Sequence, residues 1–291
     1  MSDINETNEE DNNTETNCIR FDWAVKKLLR SKENFVVLEG LLTVLLGQKI
    51  KIEELLDSES NKDTEDDKFN CVDMLAKNDK GELLIIEVQN TREVTYFHRM
   101  MYGTSKIITE RMKSGDDYSK VKKVYSINIV YFEIGQGKDY VYHGKTEFRS
   151  LHDPTEILQL SARQKQEFQK AMPGDIFPEY YILRVEHFDK FAIEPLDQWI
   201  SFLKTSKIPK NANAPGLNEA RIILSEINMS EAERKSYERH IEDLRYQRGV
   251  VSTHKEEGRA EGRAEGEQER LKLEQKIAEL EKLLELKLSN K

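Results

Sequence analysis

The chain has 291 residues, which suffices for one sizeable core with extensions or for two modest domains. Charged residues make up 34% of the chain and hydrophobic residues only 37%, so we expect part of it to lie outside any core. A membrane span and a signal peptide are not indicated, because there is no run of about 18 apolar residues and no basic segment before an apolar one.

Two acidic segments account for the net charge of −9. Residues 1–17 hold six acids and no Lys or Arg, and residues 53–67 hold eight acids and one Lys. The first segment cannot offset its ordering entropy, so we predict a disordered tail, and we predict a flexible loop for the second. The rest of the chain is mildly basic, so nucleic acid stays possible as a partner. Because no signal peptide or membrane span is indicated, we expect the protein to be cytoplasmic.

The segment between the acidic stretches predicts two helices. Apolar residues recur at helical spacing from Trp23 to Leu29 and again from Phe35 to Leu46. Gly47 follows the second set and is a suitable helix end.

The segment from Cys71 to Asn90 predicts a β-hairpin. Its turn sequence, NDKG, fits a three-residue loop that Asn78 and Glu82 close, with Gly81 in the left-handed conformation. This closure fixes the register of the two strands, because each residue then has one partner directly opposite.

Two carboxylates are opposed in that register. Asp73 faces Glu87, with Cβ atoms about 4.5–5.5 Å apart, and burial beside apolar neighbours makes ionising both costly. A shared proton would relieve the repulsion, and so would a divalent cation; two acids with oxygen ligands suit Mg²⁺ or Mn²⁺. Alternatively, the register is shifted by one residue, or Lys77 or Arg99 neutralises the pair.

The next segments predict a helix and a buried strand. The predicted core face of the helix is one stripe: Phe97, Met101, Ser105, Ile108 and Met112. Residues 124–134 are β-branched and aromatic, which is typical of a strand buried on both faces. The basic residues within 94–123 form either a solvated helix face or a phosphate-binding surface.

Further elements complete an α/β pattern. A short edge strand is predicted in the segment DYVYHG, a helix over residues 152–172 and a strand over residues 179–188. Helices follow, and a PKNANAPG linker at 209–216 is predicted to end the α/β part of the chain.

We therefore predict a tail at 1–17, an α/β domain at 18–208, a helical extension at 209–250, a Gly/Glu/Arg repeat at 251–270 and an amphipathic helix at 271–291. The repeat predicts either a weak helix or a flexible spacer. Leucine and isoleucine recur in steps of four, three and four in the last segment, which is the start of a coiled-coil seam that lapses at Lys287. A solitary helix and a homodimer contact are both consistent with it.

Four motifs resemble the PD-(D/E)xK nuclease superfamily, and most closely its Rpn branch of recombination-promoting nucleases and putative transposases. They are FDWAVKKLL, VDMLAKNDKGELLIIEVQ, FHRMMYGTSKI and EEGRAEGRAEG, in this order over about residues 19–270. The resemblance implies a restriction-endonuclease-like core, with a mixed central sheet flanked by helices, and a helical C-terminal extension. It also implies Mg²⁺-dependent or Mn²⁺-dependent hydrolysis of DNA in recombination or transposition.

The resemblance carries roles to single residues of the hairpin. It implies that Asp73 and Glu87 bind the metal ion and that Gln89 completes the catalytic set. Val72 replaces the proline of the motif name, and Gln89 stands where the motif has lysine. Lysine can stabilise a hydroxide nucleophile, whereas an amide can only hydrogen-bond, so more of the chemistry would fall to the metal. The alternative is a catalytically silent DNA-binding or interaction module of the same fold.

Five further residues are candidates for supporting roles. Glu39 is either a third metal ligand, as the resemblance implies, or an exposed helix position. Asp22 is either an accessory residue or a helix N-cap. Arg99, Tyr102 and Lys106 are candidate DNA contacts through phosphate binding or base stacking, or else they pack and pair within the protein.

Overall fold

A computed structural model describes residues 16–28, 32–56, 73–189, 192–225 and 229–289. The predicted disordered tail up to residue 15, most of the acidic loop and Cys71 lie outside these ranges. The chain divides after Tyr237 into two compact units. No helix in the described ranges is long and apolar enough to cross a membrane.

A six-stranded mixed sheet forms the centre of the first unit. The described strands are β1 (Thr16–Asn17), β2 (Ile52–Leu56), β3 (Met74–Asn78), β4 (Leu83–Gln89), β5 (Val124–Val130), β6 (Val141–Gly144), β7 (Glu179–Arg184) and β8 (Lys207–Ile208). The strand order of the central sheet is β2-β3-β4-β5-β7-β6, in which β4, β5 and β7 are parallel and the outer neighbours are antiparallel. A separate two-stranded sheet pairs β1 with β8.

Seven α-helices are described. They are α1 (Phe21–Leu28), α2 (Phe35–Leu46), α3 (Tyr96–Glu110), α4 (Ala162–Phe168), α5 (Pro195–Thr205), α6 (Leu217–Ile223) and α7 (Glu231–Ser289). The largest hydrophobic cluster joins α2, α5 and α6 to one face of the sheet, and α3 packs on the other face. This is the predicted mixed sheet flanked by helices.

The hairpin forms in the predicted register. The Asn78 amide donates to the carbonyl of Glu82 at 3.0 Å, and Gly81 has a φ of 73°. The pairs run from Lys77 opposite Leu83 to Met74 opposite Ile86. The alternative register, shifted by one residue, is therefore wrong.

The core face of α3 differs from the predicted stripe. Tyr96, Met100, Thr104 and Ile107 are buried, whereas Phe97 is 52% exposed and Met101 59% exposed. The Tyr96 ring packs edge-to-face on Phe132 at 5.7 Å and so sets the rotation of the helix. Because apolar residues occupy both stripes, periodicity alone did not decide between them.

Three other segments differ in extent from the sequence prediction. The helix predicted over 152–172 is limited to α4, which a Ser161 capping box begins. The strand predicted over 179–188 ends at Arg184 in a 3₁₀ turn. The repeat at 251–270 is part of the continuous helix α7.

The first unit extends beyond the predicted domain end at residue 208. Ala214, Leu217 and Leu224 are buried, and Trp199 Nε1 donates to the carbonyl of Pro215 at 3.0 Å. Gly40 of α2 lies against this segment so closely that a Cβ would collide with the Pro215 carbonyl. Thr16 and Asn17, assigned to the tail from the sequence, form β1. The extension of the first unit beyond residue 208 and the formation of β1 both depend on contacts between segments that are distant in sequence.

We expect Gly40→Ala to lower the free energy of unfolding by about 2 kcal/mol or more, because the added methyl group has no space beside Pro215. Urea unfolding measures this loss. Gly103→Ala is the matched control: Gly103 lies in α3 with no atom within 4 Å of an added Cβ, and we expect it to stabilise by about 0.5 kcal/mol. Equal effects of the two substitutions would contradict the packing of residues 212–224 against α2.

Candidate metal centre

The end of β4 presents Glu87 and Gln89 on the face that α3 covers. In the parallel pairing with β5, Glu87 lies opposite Asn128 and Gln89 opposite Val130. Asp73 lies one residue before β3, just beyond the last pair of the hairpin, Met74 opposite Ile86. Its Oδ2 accepts a hydrogen bond from the Val88 amide at 2.6 Å. The backbone of β4 thus anchors one carboxylate beside the other.

The electrostatics of this pair favour a cation. Burial, and to a smaller extent the charge of Asp73, raises the pKa of Glu87 to about 8, while Arg99 opposes the shift. At neutral pH the metal-free carboxyl of Glu87 therefore retains its proton to a large extent. A shared proton and a bound divalent cation are then two states of one site, because the cation would replace that proton.

The alternative in which Lys77 neutralises the carboxylates of Asp73 and Glu87 is wrong. Lys77 Nζ contacts Glu53 at 3.3 Å and Glu54 at 3.1 Å on β2. Arg99 does approach Glu87, with 3.8 Å between Nη2 and Oε2. This separation exceeds a hydrogen bond, so Arg99 compensates the charge of Glu87 only in part.

Asp22 anchors the backbone beyond Gln89. Its carboxylate is buried, accepts from Asn90 Nδ2 at 2.8 Å and pairs with Arg20 Nε at 3.2 Å. The Arg20 guanidinium lies over the Tyr131 ring at 4.9 Å. The N-cap alternative is wrong, because Asp22 is the second residue of α1; its carboxylate connects this helix to Asn90, one residue beyond Gln89.

Gln89 itself contacts the following turn. Its Nε2 donates to the carbonyl of Thr91 at 3.2 Å, and the side chain is partly exposed. This bond engages the nitrogen end of the amide. The side-chain carbonyl oxygen of Gln89 is then the end suited to accept a hydrogen bond from water.

A small polar cavity lies behind Glu87. Its volume of about 20 Å³ suffices for one water molecule. The lining includes Tyr96, Thr104, Ser126 and Asn128, and the Tyr96 hydroxyl donates to Asn128 Oδ1 at 3.1 Å. Sequence reasoning missed Tyr96 and Asn128; the available signal was an asparagine in the middle of a strand that is otherwise apolar.

Glu39 is engaged elsewhere. Its Oε1 accepts from the Ile52 amide at 2.8 Å, and its Oε2 lies 3.3 Å from Lys51 Nζ. These contacts hold α2 to β2. No group of three His, Cys, Asp or Glu side chains arranged for a metal ion occurs within the described ranges. The structure does not place Glu39 in a ligand set with Asp73 and Glu87, nor is it an exposed residue.

Tyr102 and Lys106 follow Arg99 along one flank of α3. Tyr102 is 51% exposed, and Lys106 Nζ lies 3.7 Å from Glu110. The spacing of three and four residues puts all three side chains on the same side of the helix. The flank starts with a cation beside Glu87 and continues away from it with an exposed aromatic ring and a second cation.

The site residues present fit an oxygen-ligated divalent cation. Two carboxylates can supply protein ligands to Mg²⁺ or Mn²⁺, which usually retain several waters. The distance of 3.8 Å between Arg99 Nη2 and Glu87 Oε2 indicates that Arg99 leaves the carboxylate charge undercompensated.

Without divalent cations, we expect the free energy of unfolding to fall as the pH rises from about 5 to about 8, by at most about 1.4 kcal/mol per pH unit. The folded pKa of Glu87 lies above its ordinary value, so the folded state keeps a proton that the unfolded chain releases, and stability is lost up to about pH 8. Glu87→Gln should flatten this slope in urea unfolding with EDTA. Glu110→Gln is the control and should retain the wild-type slope; a wild-type slope in Glu87→Gln would contradict the assignment.

Comparison with known proteins agrees with the architecture and the motifs. The family model described as PD-(D/E)XK nuclease family transposase matches residues 19–253. No curated protein and no solved structure gives a significant match. The matched range contains the whole mixed sheet, the opposed carboxylates and α3. The chain belongs to the PD-(D/E)XK nuclease family of transposases and has its restriction-endonuclease-like α/β fold.

Proposed function

We propose that the protein is a metal-dependent DNA endonuclease that hydrolyses phosphodiester bonds in recombination or transposition. The observation that carries this proposal is that the carboxylates of Asp73, just before β3, and Glu87, near the end of β4, lie close enough to interact, and burial and like charge raise the pKa of Glu87 to about 8. Membership of the family supports a nuclease and DNA as its substrate.

Asp73 and Glu87 are the proposed ligands of Mg²⁺ or Mn²⁺. Such an ion supplies a polarised water and neutralises charge on the phosphate when it is bound. The Val88 amide holds the Asp73 carboxylate in place, and β4 and β5 hold Glu87. We assign to Gln89 the orientation of the attacking water, through the carbonyl end of its amide.

The flank of α3 is the proposed DNA contact. Arg99 and Lys106 supply positive charge for phosphate, and the exposed ring of Tyr102 lies between them for stacking on a base. All three lie on the helix that covers the Glu87 face of the sheet. A strand of DNA held there would place a phosphate next to the carboxylates.

Asp73→Asn and Glu87→Gln should each lower plasmid nicking in Mg²⁺ or Mn²⁺ by at least about 100-fold, because each removes one charged ligand. Both replacements keep the side-chain size. Glu156→Gln is the control and should retain wild-type nicking, since Glu156 is exposed in the loop before α4. Metal-dependent nicking that survives both ligand substitutions would contradict the proposal.

A catalytically silent DNA-binding module is the second candidate. Gln89 in place of lysine favours it, as does the lack of a third clustered acid among the described residues. It would show salt-sensitive DNA binding that persists in EDTA and is unchanged by Asp73→Asn. Nicking that requires Asp73 separates the two candidates.

We also propose that the end of α7 pairs with a second copy of the chain. Leu273, Ile277 and Leu280 are each more than half exposed and follow heptad spacing. The cytoplasmic location expected from the sequence stays a prediction.

Ile277→Glu should lower the mass measured by light scattering from that of a dimer to that of a monomer, because a charge replaces an apolar seam residue. Gln275→Glu adds the same charge on the opposite side of the helix and should leave the dimer intact. A monomeric wild-type protein would contradict this pairing.

A further inference from the structure

Arg99 lies between two carboxylates at unequal distances. Its Nη1 donates to Glu93 Oε2 at 3.2 Å, whereas its Nη2 stays 3.8 Å from Glu87 Oε2. The other oxygen of Glu93 accepts from the Thr95 hydroxyl at 3.0 Å. Glu93 is thus fixed at the start of α3 and holds the guanidinium near Glu87 without a hydrogen bond to it.

The described charged groups that act on Glu87 have opposite signs. Asp73 and Glu93 are negative, and Arg99 is positive. A divalent cation between Asp73 and Glu87 would lie beside the guanidinium, and like charges at such a distance repel. Arg99 is 30% exposed, so it has room to turn outwards while Glu93 keeps hold of it.

We propose that Arg99 is a partial counter-ion of the deprotonated Glu87 carboxylate in the metal-free site, competes with the entering divalent cation for that carboxylate, and is drawn aside by Glu93 when that cation binds. This inference rests on the metal site of the proposed function. It makes Arg99 a positioning residue that sets the cation concentration needed to load the site. A monovalent cation gains too little from the two carboxylates to displace the guanidinium, so the arrangement favours divalent ions.

Isothermal titration with Mn²⁺ in the absence of DNA tests the competition. Arg99→Met keeps much of the side-chain length and removes the charge, and we expect it to tighten Mn²⁺ binding about tenfold. Arg99→Lys keeps the charge and should bind Mn²⁺ within about twofold of wild type. Removing a residue that only supports the site structurally would weaken Mn²⁺ binding. Tighter Mn²⁺ binding in Arg99→Met therefore distinguishes a competing charge from a structural contact.

Lys106→Met is the matched control. It removes a cation from the same flank of α3, two helical turns beyond Arg99, where the charge pairs with Glu110. We expect less than about a twofold change in Mn²⁺ affinity, since the interaction weakens with distance and screening. A tightening equal to that of Arg99→Met would assign the effect to overall charge and overturn the specific role of Arg99.

The role of Glu93 needs a double-mutant comparison. Glu93→Gln frees the guanidinium to remain on Glu87, so it should weaken Mn²⁺ binding in the wild-type background. In the Arg99→Met background the same substitution should have a clearly smaller effect. Equal weakening in both backgrounds would show that Glu93 acts on the cation through its own charge and would overturn its holding role.

The outcomes separate this inference from the proposed function. Wild-type protein that binds no Mn²⁺, or binds it independently of Asp73, overturns the metal site and the inference together. Binding that requires Asp73 but is unchanged or weakened by Arg99→Met leaves the metal site standing and overturns the counter-ion role. Circular dichroism confirms that each variant is folded before titration.

Discussion

The repulsion between the carboxylates of Asp73 and Glu87 is the constraint around which the end of the sheet is arranged. A one-residue shift would send the two side chains to different faces, and the left-handed turn at Gly81 prevents that shift. Burial then makes the pair costly to ionise without a positive partner. The packing of the sheet on both faces offsets this unfavourable electrostatic free energy.

The surrounding elements hold the carboxylates without neutralising them. The Val88 amide binds Asp73, and the bond from Asn90 to Asp22 secures the chain just beyond the site. Helix α3 brings Arg99 near Glu87 but attaches it to Glu93 instead. The result is a pair of carboxylates with incomplete charge compensation, at which the proposed divalent cation would displace the proton.

Local sequence features predicted the hairpin, its register and the carboxylate pair, because a turn of known type determines which residues are opposed. The two-sided burial of β5 also followed from composition. Three features could not be predicted from the sequence: the rotation of α3, the contacts of Asp22 and Glu39, and the packing of residues 212–224 on Gly40. Each depends on which segments meet in three dimensions, and both candidate stripes of α3 carry apolar residues. Periodicity and capping rules contain no information about such partners.

The central claim is that one cation is shared by the two carboxylates. An anomalous difference map from crystals grown with Mn²⁺ tests it most directly, because manganese gives a signal that water does not. The account predicts one peak about 2.1 Å from a carboxylate oxygen of Asp73 and at the same distance from one of Glu87. A peak bound by only one of these residues, or no peak at the end of β4, would contradict it.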